Sequence, residues 1–406
     1  MHNLKIDGDR LWNSILETAA FGGTPDGGVR RLTLSGEDRA VRDWFRHKAE
    51  TLGCRVSVDA VGNMFAVRPG SDAEALPIAI GSHLDTQPTG GKFDGILGVL
   101  AGLEILQTLQ DAGYQTRRPL MVVNWTNEEG ARFSPAMLGS GVYAGVFDRT
   151  YAESRVDAEG ITFADAIEAI DYRGETPIGE PRFAAMFELH IEQGPVLERE
   201  AFDIGAVTGV QAMRWYDLTV IGRESHAGST PMDMRQDALA DAANLILTTQ
   251  DIARRHGGMA TTGQIGITSP SRNVIPGKVT MSLDLRHEND DTLQAMEQDV
   301  RAAMQRQCGE RAVLTGIWDS PAVHFDAGCL AAIRDGAAAA GASHRDIVSG
   351  AGHDSVYISR VASTAMIFVP CKDGLSHNPA ESATREQCTL GAQTLLNAVL
   401  AYGEQQ

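Results

Sequence analysis

The sequence predicts an α/β catalytic domain, with a mostly parallel mixed sheet flanked by helices. An inserted, smaller α+β domain is built on an antiparallel sheet. Three observations carry this. At 406 residues the chain is too long for one ordinary core. Strand-like and helix-like periodicities alternate through its first third, the pattern of strands joined by crossover helices. After about residue 208 the character changes, and strands with one wet face follow.

Residues 60–68 (AVGNMFAVR) and 77–82 (PIAIGS) read as strands. Residues 95–110 place Ile96, Val99, Leu100, Leu103 and Leu106 at helical spacing, and Asp94 stands where an Asp is a good N-cap. Residues 119–126 (PLMVVNWT) form another apolar strand. In the next region, 216–222 reads as a strand and 237–255 as an amphipathic helix. Residues 278–286 alternate, with Val279, Met281, Leu283 and Leu285 on one side and Thr280, Ser282, Asp284 and Arg286 on the other. The tail returns to the first domain with a buried strand at 365–369. The expected boundaries are 1–209 plus 325–406 for the catalytic domain and 210–324 for the insert. No internal repeat or low-complexity segment stands out.

Composition narrows the function classes. A hydrophobic fraction of 43% and a charged fraction of 22% fit a globular protein. A formal net charge of −18 disfavours nucleic acid or an anionic membrane as partner, while leaving room for a small anionic substrate. No run is long enough to span a membrane and the start MHNLKIDGDRLWNS has no signal-peptide core, so a cytoplasmic location is expected. The five cysteines are scattered without CxxC spacing, which argues against a disulfide framework or a thiolate metal site.

Ligand-type residues gather at four strand ends. In GSHLDTQPTGGKFDG (81–95), His83 offers a neutral nitrogen to a metal, Asp85 can orient its ring, and Asp94 can bridge two cations beyond a Gly-rich turn. The strand PLMVVNWT runs into Asn127, Glu128 and Glu129, so that one Glu can bind metal while its neighbour stays free as a base. His190 stands near a strand end in MFELHIEQG, and His377 in a loop after AMIFV. Taken singly these signals are weak. An isolated His is more often structural, a Glu pair is usually solvated, and Asp94 has a reading as a mere cap. Their concurrence at strand ends of an open sheet, where α/β proteins place their sites, favours a metal centre.

At this point the segments GSHLDTQPTGGKFDG, NWTNEEGARFSPAMLGSG, FELHIEQGPVLE, SHAGSTPMDMR, RNVIPGK, SGAGHDS and GLSHNPAE can be compared with known families. They resemble the hydantoinase/carbamoylase family of amidases, which includes N-carbamoyl-L-amino acid hydrolases, β-ureidopropionases and allantoate amidohydrolases. The family sits in a wider clan with aminoacylases and metallo-carboxypeptidases. The resemblance runs from about residue 35 to the end, and no ligand position departs from the pattern.

The resemblance implies a homodimer formed through the inserted domain and two divalent cations per subunit. Zinc is the first expectation, with manganese, cobalt or nickel as alternatives. His83, Asp94 and His190 would hold one cation, and Asp94, Glu129 and His377 the other. Glu128 would be the general base, with Asp85 and His226 completing the catalytic set. Gln193, His226, Asn273, Arg286, Gly352 and His353 would bind substrate, Arg286 taking its carboxylate. The implied substrate is a small ureido acid, an N-carbamoyl-L-amino acid or N-carbamoyl-β-alanine, cleaved at the ureido C–N bond to amino acid, ammonia and carbon dioxide. The alternatives are an allantoate or ureidoglycolate amidohydrolase, an N-acyl amino acid deacylase or peptidase, and, outside enzymes, an inactive small-molecule-binding relative. Retention of all five ligands and of Glu128 argues against the last.

Overall fold

The structure, a computed structural model, describes residues 4–405; the first three residues of the N-terminal stretch and the final residue lie outside it. Contacts divide the chain into two compact units. One runs up to Gly209 and resumes at Phe325, and the other is Val210–His324.

The first unit is organised by a mixed sheet. Its strands include β1 (Arg55–Val58), β2 (Met64–Arg68), β3 (Ile78–His83), β4 (Leu120–Trp125), β5 (Ala185–Ile191) and β6 (Ile204–Val210). Their spatial order is β1-β2-β4-β3-β5, then the strand Ser363–Val369, then β6. The centre of the sheet is parallel: β3 with β4, β3 with β5, and β5 with Ser363–Val369. β1 and β2, and β2 and β4, pair antiparallel, as does β6 with Ser363–Val369. β3, β4 and β5 are buried at every position, which explains why they read as near-continuous apolar runs.

The helix Ile96–Asp111 is apolar around most of its circumference and buried along nearly all its length. Two glycines let it lie close to the sheet. A Cβ on Gly98 would stand 2.5 Å from the Leu189 carbonyl oxygen, and one on Gly102 would stand 2.9 Å from Val122. This corrects the sequence expectation for Asp94. The helix is preceded by Gly95 at φ +68°, with no side-chain cap, and the Asp94 carboxylate is directed elsewhere. A second correction concerns residues 60–68. The strand begins only at Met64, because Asp59 Oδ1 accepts from the Val61 and Asn63 N–H groups and folds 59–63 into a turn with Gly62 at φ +86°. That turn joins β2 to β1, a strand the periodicity had not revealed.

The second unit is an antiparallel sheet in the order Ile265–Ile267, Lys278–His287, Ala212–Ile221, Ala312–Ser320, with Met259–Thr261 also on Lys278–His287. Val279, Met281, Leu283 and Leu285 are buried, as the alternation predicts. They pack with Leu218, Val220, Leu245, Ile252, Leu293 and Val300 into one core, to which the helices Ala238–His256 and Asp290–Cys308 contribute. Among the described residues all five cysteines are free and buried, and no helix is long and apolar enough to cross a membrane.

Candidate metal centre

Strand pairing opens the site. The β3–β5 ladder stops at Ile80 and Phe187, whereas β3 stays paired with β4 through His83, and β5 with Ser363–Val369 through Ile191. The last three residues of β3 are therefore unpaired on the β5 side. A crevice at the carboxyl ends of parallel strands is where this architecture places ligands. Gly95 is needed beside it, since a Cβ there would run into the His83 ring.

Two groups of ligand-type atoms meet at Asp94. His83 Nε2 lies 3.6 Å and His190 Nε2 3.2 Å from Asp94 Oδ1. On the other oxygen, His377 Nε2 lies 3.4 Å from Asp94 Oδ2 and also 3.4 Å from Glu129 Oε2. One carboxylate thus presents a separate oxygen to each group, which is what a bridging ligand requires. His83, Asp94 and His190 are buried, while the His377 side chain is 48% exposed. The rings of His83 and His190 are aimed by the chain itself. His83 Nδ1 lies 2.9 Å from the Asp85 carbonyl oxygen, and His190 Nδ1 2.9 Å from that of Ile191. Protonation at Nδ1 leaves Nε2 as a lone pair pointing inward, the tautomer a cation needs.

Asp85 works differently from the sequence expectation. Its carbonyl oxygen orients the His83 ring, while its carboxylate stands 3.8 Å from that ring. The two carboxylate oxygens accept instead from Glu128 N and Glu129 N, each at 3.3 Å. Glu129 is further held by Gln87, whose backbone N–H and side-chain amide reach its two oxygens at 3.1 and 2.7 Å. Among the described residues the Glu128 carboxylate takes no such hydrogen bond, and its Oε2 lies 3.5 Å from His83 Nε2. Asn127, Gln193 and His377 all adopt φ near +60°, a strained backbone for non-glycine residues, at the three loops that converge here.

The electrostatics suit cations. Burial pushes the Glu128 carboxyl well above its ordinary range, His83 opposing and Asp354, Glu129 and Asp85 reinforcing. Glu129 is pushed up to about 7 by burial and then by the Asp94 charge. Burial alone would raise Asp94 too, but the imidazoles, His190 foremost, hold it well below the usual range. His377 is pushed up to about 9, chiefly by its hydrogen bond to Asp94. The crevice therefore concentrates negative charge and attracts positive charge. Three imidazoles and two carboxylates, two of the imidazoles with Nδ1 held on a carbonyl oxygen, fit borderline divalent metals.

Gln193 donates to Asp94 Oδ2 at 2.7 Å and so stands inside the cluster. His353 is buried, accepts or donates at 3.1 Å with Ser349 Oγ, and stacks edge-on to His190 at 4.6 Å. A Cβ on neighbouring Gly352 would touch the Met137 side chain. His226, Asn273 and Arg286 belong to the second unit. His226 is exposed, and its Nδ1 accepts from the Gly228 and Ser229 N–H groups, leaving Nε2 as the donor. Asn273 is exposed on the loop before Val274–Ile275. Arg286 binds Asp284 on its own strand, with Nη2 2.7 Å from Oδ2.

Sequence reasoning missed Gln87, Ser376 and Glu381, which hydrogen-bond the ligand residues, and the buried Glu188, held by Ser82 Oγ at 2.7 Å. Ser376 and Glu381 flank His377 in the stretch GLSHNPAE, and that adjacency was the available signal.

A family model described as peptidase family M20/M25/M40 matches residues 79–401. An N-carbamoyl-L-amino-acid amidohydrolase of Rhizobium meliloti is 45% identical, over 99% of this chain and 98% of the relative. Another, from Geobacillus stearothermophilus, is 38% identical over 98% of this chain and 100% of the relative. The crystal structure of an amidase of the hydantoinase/carbamoylase family from Burkholderia multivorans superposes with TM-score 0.95 at 48% identity, covering 98% of each chain.

Proposed function

The chain belongs to peptidase family M20/M25/M40, a metal-dependent family, and is a hydrolase acting on C–N bonds; from that premise we propose that it cleaves the ureido bond of N-carbamoyl-L-amino acids with two divalent cations, zinc foremost. The observation that carries the reading is Asp94, whose two oxygens face two ligand groups beside an uncommitted Glu128. The relatives named as N-carbamoyl-L-amino-acid amidohydrolases support the substrate class.

His83, Asp94 and His190 would hold one cation, and Asp94, Glu129 and His377 the other. A cation pair of this kind supplies a water of lowered pKa and polarises the carbonyl, which a ureido group needs because two nitrogens donate into it. Glu128 accepts the proton of the attacking water and delivers it to the departing nitrogen. Its burial beside the two ligand groups, 3.5 Å from His83 Nε2, suits that task. Asp85 holds Glu128 and Glu129 in register through their backbone N–H groups. We assign His226 to the developing oxyanion, as a donor through Nε2. Arg286 is assigned to the substrate carboxylate, with Asn273, Gln193, Gly352 and His353 as further binding residues. A homodimer through the second unit belongs to the same reading.

The test is ammonia release after dialysis against a chelator and metal add-back, with N-carbamoyl-L-methionine, its D enantiomer, N-carbamoyl-β-alanine, allantoate and an N-acetyl amino acid, the last scored by free amine. Metal-dependent turnover of the L-carbamoyl compound is expected. Preference for allantoate, or cleavage of the acetyl compound alone, would keep the site and replace the substrate. No turnover of any compound with cations bound would leave a binding protein.

A further inference from the structure

The two ligand groups are not equally braced. His83 and His190 stand on strands, and each ring is anchored by a carbonyl oxygen. His377 stands on a loop, its side chain is half exposed, and among the described residues no carbonyl anchors its ring. Something else must keep that loop beside Asp94.

Glu381 occupies the required place. It is 4% exposed, although among the described residues no Lys or Arg forms an ion pair with it. One oxygen, Oε1, accepts from Phe93 N at 3.0 Å and from Asp94 N at 3.1 Å, fixing the backbone that presents the shared carboxylate. The other, Oε2, lies 3.0 Å from Ser376 Oγ, the residue before His377. Ser376 Oγ in turn lies 2.8 Å from Asp94 Oδ2. The 91–94 turn and the 376–381 loop are 282 residues apart at the Ser376–Asp94 bond; Glu381 joins them at two points, Phe93 N and Asp94 N, and braces from within its own loop the Ser376 hydroxyl that makes the third link. Gly91 makes room for it, because a Cβ there would overlap the Glu381 carboxylate. Gly91 is outside the positive-φ region, so that overlap is the main cost of a side chain at this position.

We propose that Glu381 is a positioning residue that couples Asp94 to His377 and so sets the affinity of the group formed by Asp94, Glu129 and His377, without touching substrate. The inference rests on the two-cation reading above. A glutamine at 381 keeps an acceptor for the two backbone N–H groups and replaces Oε2 by an NH2 that donates to Ser376 Oγ, leaving the Ser376 hydroxyl to donate to Asp94, whereas an alanine provides neither.

The experiment titrates metal-free protein with zinc by calorimetry, and follows thermal unfolding of the metal-free form and the KM and kcat of the loaded form. Wild type is expected to take two equivalents. E381A should weaken the second equivalent by about tenfold or more, the range for losing a partner of a metal ligand, and the first, which shares Asp94, by less, with a cooperative metal-free unfolding transition retained and kcat recovered at high zinc. E381Q should stay close to wild type. G91A, which displaces the carboxylate while leaving Glu381 in the chain, should weaken the second equivalent as E381A does, and it decides the matter if E381A does not fold. Unchanged second-site affinity in E381A or G91A, or equal losses in E381A and E381Q, would overturn the proposal. A wild type that binds a single equivalent would instead overturn the two-cation reading, and the proposal would fall with it.

Discussion

Replacing Asp85 by asparagine separates its two connections. The substitution keeps the backbone carbonyl that accepts from His83 Nδ1, so the ring stays aimed. It alters the carboxylate, whose two oxygens each accept from one N–H, Glu128 N and Glu129 N at 3.3 Å. Asparagine has a single oxygen, so one N–H must face an amide NH2 group in a buried site. Loss of a hydrogen bond to a charged group costs about 1.5–3 kcal/mol. If that cost falls on the placement of Glu128 in the transition state, kcat drops about tenfold to about 150-fold, at 1.36 kcal/mol per tenfold. The assay is kcat on N-carbamoyl-L-methionine, normalised to cation content by plasma mass spectrometry. Cation content should match wild type while turnover per loaded site falls in that range. Loss of cation with normal turnover per remaining loaded site would refute the reasoning, since the carboxylate would then act on the imidazole.

Glu128→Gln should retain cations and lose about 10²–10⁴-fold in kcat, the usual worth of general acid–base catalysis; an unchanged rate would remove Glu128 as the base. Arg286→Ala should raise KM for carbamoyl amino acids with a smaller effect on kcat, and normal kinetics would return Arg286 to its pairing with Asp284. Gly95→Ala forces a Cβ toward the His83 ring from a backbone at φ +68°. Such a backbone costs roughly 1–3 kcal/mol, so zinc binding should weaken and metal-free unfolding should occur at lower temperature. Wild-type values for both would show that the ring can move aside.

Elements whose residues carry their own periodicity, and chemistry whose residues are contiguous, were legible in the amino-acid sequence. Strands β3, β4 and β5 are buried on both faces and so spell out apolar runs. Lys278–His287 alternates because one face packs on helices and the other does not. His83, Asp94, the Glu128–Glu129 pair, His190 and His377 stand at strand ends and in turns that Gly and Pro mark, so their types and positions were legible together. Contacts between distant segments were not. Taken alone, Asp94 also reads as a helix cap, and the convergence of three histidines on its two oxygens shows where it points. The carboxylate of Asp85 was assigned to the ring beside it in sequence. Folding instead brings the backbone of residues 128 and 129, more than 40 positions away, to its oxygens. β1 carries too little pattern to be seen, since it exists as the hairpin partner of β2. Glu381 shows the same limit: an exposed-looking residue near a chain end becomes a buried clamp because a glycine in another loop leaves space for its carboxylate. Periodicity reports what a segment does with its own neighbours, whereas hydrogen bonds across hundreds of residues exist only once the tertiary structure has closed the loops between them.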